Sequence, residues 1–116
     1  MIQLPNSNSW TPISENSLTD LIEQARQTMS DVEHVLWNAI RLPHADIWQL
    51  HPWADEGCGF WVVAVMGNHC IYFNDISGGF AASRFSQWGN IPEFDPQPHS
   101  LEQLIGQYSR HQTAPA

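Results

Sequence analysis

The stretch GCGFWVVAVMGNHCIYFNDISGGF, Gly57 to Phe80, decides the fold. Two runs rich in β-branched and aromatic residues flank Gly67-Asn68, and a glycine at the first position of a two-residue loop suits a type II′ turn. The pattern predicts a β-hairpin with strands over about 58–66 and 69–74. Val62 to Met66 contains no polar residue, so both faces of this hairpin need cover.

With Met66 opposite His69, strand alternation sorts the hairpin into two faces. Phe60, Val62, Ala64 and Met66 share one with His69, Ile71 and Phe73, and this face is the expected core. Trp61, Val63 and Val65 share the other with Cys70, Tyr72 and Asn74. Either a C-terminal helix packs on that second face, or it is a contact surface, since exposed apolar patches above roughly 300–600 Å² mark such surfaces. In this register Cys58 lies opposite Ser77, far from Cys70. A disulfide needs Cα atoms about 4.4–6.8 Å apart, so free thiols and a reducing, cytoplasmic compartment are expected.

Outward from the hairpin, the chain supplies helices on both sides. Ser17 is a candidate cap for a first helix whose stripe is Leu18, Leu21, Ile22, Ala25 and Met29, with Asp20 at the capping-box position. Ser30 and Glu33 form a capping box for a second helix with the stripe Val32, Val35, Leu36, Ala39 and Ile40, stopped before Pro43. Ile47 to Leu50 is short and apolar, as an edge strand ended by Pro52 would be. After the turn-rich Asn74 to Gly79, a strand is predicted over 80–86 and a short one near 90–94. Ser100 and Gln103 cap a third helix carrying Leu101, Leu104, Ile105 and Tyr108. The organisation expected is an N-terminal arm (1–13), one domain (14–111) and a frayed tail (112–116). The fold class is α+β in two layers: N-terminal helices, an antiparallel meander of four to five strands, and a C-terminal helix.

A chain of 116 residues can bury roughly two thirds of its unfolded surface without staples. Twelve acidic residues oppose four basic ones, all arginine, for a formal charge of −8. Without lysine there is no Schiff base and no phosphate-loop lysine, and the charge repels a nucleic-acid backbone. No secretory leader pattern and no run near the roughly 20 apolar residues of a membrane span occurs. The partners expected are a protein or a second copy, with no nucleic acid and no membrane.

Candidate chemistry is sparse. His51, Asp55, Glu56 and Cys58 lie close in sequence but match no metal-ligand spacing, so neither metal nor cofactor is expected. Asp75 either bonds its own backbone in an Asx turn or offers a carboxylate to a pocket lined by Trp53 and Trp61. Four tryptophans, Trp48, Trp53, Trp61 and Trp88, fall in or beside the proposed sheet, as core filler or as an interface.

The run FWVVAVMGNHCIYFNDISGGF, followed by Gly89-Asn90-Ile91-Pro92-Glu93-Phe94 and the Leu101-containing helix, resembles a family of short bacterial proteins without an assigned activity. That resemblance spans about residues 37 to 105, implies a bacterial source and a stable module, and transfers no catalytic residues. In size and charge alone the chain is similar to toxin-neutralising immunity proteins. The function expected is a non-enzymatic interaction module acting through Trp61, Tyr72, Val63 and Val65, either self-associating or holding a partner. The alternative is a small-molecule binder or hydrolase combining Trp53, Trp61 and Asp75.

Overall fold

The computed structural model describes residues 12–50, 59–95 and 97–113, with side chains through residue 110. Helices α1 (Glu15–Thr28) and α2 (Asp31–Ile40) precede strands β1 (Arg41–Trp48), β2 (Phe60–Met66), β3 (His69–Asn74) and β4 (Gly79–Arg84), and α3 (Leu101–Thr113) closes the chain. The strands form one antiparallel sheet in the order β1-β2-β3-β4, so the α+β meander between helices is the architecture observed.

Each helix begins at a side chain that satisfies amide groups its first turn would leave bare. Ser14, not Ser17, caps α1: its side chain accepts from the Ser17 amide, which places the boundary three residues before the expected one. Ser30 and Glu33 form the reciprocal box on α2, and Ser100 and Gln103 exchange bonds of 3.0 and 3.3 Å at the start of α3. The β2–β3 hairpin turns on Gly67 at φ 60°, with Asn68 at negative φ, the pattern of a type II′ turn.

All three helices pack on one face of the sheet. Leu18 and Ala25 of α1, Leu36, Trp37 and Ile40 of α2, and Leu101, Leu104 and Ile105 of α3 bury against Val63, Ala64, Ile71, Phe73 and Phe80. The C-terminal helix therefore does not cover the second face. That face holds Trp48, Phe60, Val62, Cys70, Tyr72 and Ala81, covered by Leu50, Ile91, Phe85 and Phe94. The segment after β4, predicted as a short strand, is instead an irregular strap with a single parallel bridge from Asn90 to Gln49.

The expected two-face division of the hairpin is corrected by a β-bulge. Met66, Val65 and Ala64 pair with His69, Cys70 and Ile71 as anticipated, but Val62 then faces Tyr72 and Trp61 faces Phe73. One extra residue on β2, Val63, shifts every position before it to the opposite face. Trp61 and Val63 join the helix side, whereas Phe60 and Val62 join Tyr72 and Val65 on the strap side. The four residues expected on one aromatic face thus lie on two.

Candidate functional site

The strap is fastened by polar groups at the end of β3. The Tyr72 hydroxyl donates to the Glu93 carbonyl at 3.2 Å and accepts from the Asp95 amide at 3.1 Å. Asn74, fully buried, donates through Nδ2 to the Asp95 carbonyl at 3.0 Å. Its Oδ1 accepts from the amides of Ile76 and Ser77, so the Asx turn belongs to Asn74 and not to Asp75. Burial pushes the Tyr72 phenol up to about 12, since its anion would be stranded away from water. Further along, Trp48 meets Phe85 edge-to-face and Trp88 at a tilt, with ring centroids 5.0 and 4.9 Å apart.

Asp75 and Trp61 do come together, at a backbone rather than around a pocket. Asp75 Oδ1 accepts from the Ile13 amide at 2.9 Å, and the Trp61 indole N–H donates to the Ile13 carbonyl at 2.8 Å. Asp75 Oδ2 is buried and finds no partner among the described residues. Desolvation raises the Asp75 carboxyl above its ordinary range, only partly offset by the bond from Ile13. Trp53, the third member of the expected pocket, lies outside the described residues, as do His51, Asp55, Glu56 and Cys58.

Of the expected interface residues, Tyr72 and Val63 are buried, and Trp61 and Val65 half-buried. Among the described residues the large apolar side chains that are exposed lie elsewhere: Ile47 on β1, Ile76 in the turn after β3 and Trp88 in the strap stand singly, whereas Val32 and Val35 share α2. Val32 and Val35 are 53% and 71% exposed, and Ala39 stands exposed beside them one turn on. At about 100° per residue, the six apolar residues of this ten-residue helix span about 200° of its circumference. The core uses the half formed by Leu36, Trp37 and Ile40. The other half is a ridge of Val32, Val35 and Ala39 flanked by exposed Asp31 and Asn38.

Sequence periodicity assigned Val32, Val35 and Ala39 to the core because they continue the Leu36–Ile40 stripe. Trp37 was the missed signal: it lies off that stripe, and its bulk draws the buried arc toward itself and away from the valines. Among the described residues no group of three histidine, cysteine, aspartate or glutamate side chains is placed to hold a metal, and no helix is long and apolar enough to cross a membrane.

Comparison with protein-family models, with curated proteins and with solved structures gives no match, so the bacterial-family resemblance carried by the hairpin motif has no matching family model beside it.

Proposed function

We propose that the protein is a non-enzymatic interaction module that presents the Val32–Val35–Ala39 ridge of α2 to a partner protein. The observation that carries this reading is the exposure of two valines on a helix that is apolar well beyond the arc its own core uses. An apolar arc wider than the one a helix turns to its own core leaves a strip that a neighbour can cover. Burying a valine gains about 1.5–3 kcal/mol, so the ridge favours association if its polar flanks are satisfied.

Charge selects the kind of partner. Two copies of a chain at −8 repel, whereas a partner whose apolar groove is rimmed by arginine or lysine is attracted. An immunity-type role, with an acidic chain masking a basic toxin surface, is the specific form of this proposal.

The test uses an amphipathic leucine- and lysine-containing helical peptide as a probe, with a peptide of equal charge whose leucines are replaced by serine as its control. The expected result is saturable binding of the first peptide, with amide shifts centred on α2, weakened about tenfold by Val35→Ser. Equal binding of the control peptide, or indifference to Val32→Ser and Val35→Ser, overturns the reading. A dimer in solution that Val35→Ser converts to monomer would replace the partner protein with a second copy.

A further inference from the structure

We propose that the groove between α1 and β1 binds a small carboxylate with an apolar body, anchored by Arg41 and Arg26. The groove exists because β1 leaves the sheet. Arg41 pairs with Ala64 and Asp46 with Val62, so five steps along β1 match two along β2, and the intervening residues bow away from the sheet. Bulges of this kind recur beside binding sites because they re-aim side chains.

Under the bow lies a cavity of about 270 Å³. That is about nine times the volume share of one liquid water and close to the lower end of small-molecule clefts. Leu18, Ile22, Trp37 and Val63 give it an apolar floor, and Arg26, Arg41 and His44 reach it from the two sides. Two of the four basic residues of a strongly acidic chain thus line one groove.

The polar groups ask for an acceptor. Glu23 engages Arg26 through Nη1 alone, at 2.8 Å, and the Arg26 Nε–H is buried with no acceptor among the described residues. Arg41 is exposed and forms no ion pair among the described residues. A buried donor without an acceptor is costly, and a carboxylate oxygen would satisfy it with a charge-assisted bond. Glu15 and Glu23 also line the groove; Glu23 is taken up by Arg26 Nη1, so the donors open to a ligand carboxylate are the Arg26 Nε–H and the Arg41 guanidinium, with Glu15 the remaining acidic group of the lining. The apolar floor then selects against acids with no hydrocarbon or aryl group.

The test is an amide-shift titration with phenylacetate and with octanoate, using acetate as the acid without a body and benzyl alcohol as the body without a charge. Phenylacetate or octanoate is expected to saturate at millimolar concentration, with shifts at residues 18–26 and 41–45. Arg41→Gln and Arg26→Gln should each weaken it about tenfold or more, while Arg84→Gln, outside the groove, leaves it unchanged. Acetate or benzyl alcohol binding as well as phenylacetate, shifts centred elsewhere, no saturation, or indifference to Arg41→Gln would each overturn the proposal. Because Arg41 is exposed, the folded spectrum of Arg41→Gln separates lost binding from lost structure.

Discussion

Trp61 and Asp75 both hold the backbone of Ile13, the indole N–H on its carbonyl and the carboxylate on its amide. One residue comes from β2 and the other from the turn after β3, so the grip ties the start of α1 to the sheet. Two side chains expected to serve a partner or a ligand thus act on the chain's own backbone.

Removing either side of the grip should cost measurable stability. Asp75→Ala leaves the Ile13 amide without its acceptor, at about 1–3 kcal/mol, and Trp61→Phe removes one neutral hydrogen bond, at about 0.5–1.5 kcal/mol. Because both act on one residue, the double variant should lose less than the sum, as urea unfolding in a double-mutant cycle would reveal. Additive losses would mean the two bonds act independently.

The same carboxyl sets a pH dependence. Burial raises Asp75 above its ordinary value of 3.8, so in the window from that value up through the raised one the folded chain binds more protons than the unfolded chain. Stability from this group is fully present below 3.8 and is lost as pH rises through the folded value. Asp75→Asn abolishes the effect. Its stability relative to the parent should therefore rise as pH climbs from 3.8 through the raised folded value, measured by urea midpoints at each pH.

Tyr72→Phe tests the strap. The phenyl ring keeps the packing but leaves the Glu93 carbonyl and the Asp95 amide without their shared hydroxyl. The expected loss is about 1–3 kcal/mol, with faster hydrogen exchange at the Ile91 and Asp95 amides than in the helices. Uniform acceleration across the sheet would place the bond in global stability and not in local fastening.

Much of this architecture was legible because it rests on local chemistry. The Gly67 turn, the Ser30–Glu33 and Ser100–Gln103 boxes and the limits of β3 follow from residue types a few positions apart. The bulge at Val63 does not, because Val62, Val63 and Ala64 are alike in hydrophobicity and nothing in their order marks the extra residue. That one position reassigns Phe60, Trp61 and Val62 and divides the anticipated aromatic face. Asn74 and Asp75 were separable only once their partners were known, since both residue types form Asx turns. The exposure of Val32 and Val35 depends on how Trp37 seats α2, which is a tertiary choice.

Cys70 should be inert in the folded chain. It is fully buried on the strap side of β3, and desolvation pushes its thiol up to about 12. The thiolate is the nucleophile, and its fraction at neutral pH is then on the order of 10⁻⁵, in a position reagents cannot reach. With Cys58→Ser removing the other thiol, iodoacetamide should label the folded protein no faster than the chain opens, and denaturant should make labelling complete. Rapid labelling under native conditions would mean that the strap of Phe85, Ile91 and Phe94 lifts readily from the sheet. Such lifting would also open the Tyr72 face to a partner.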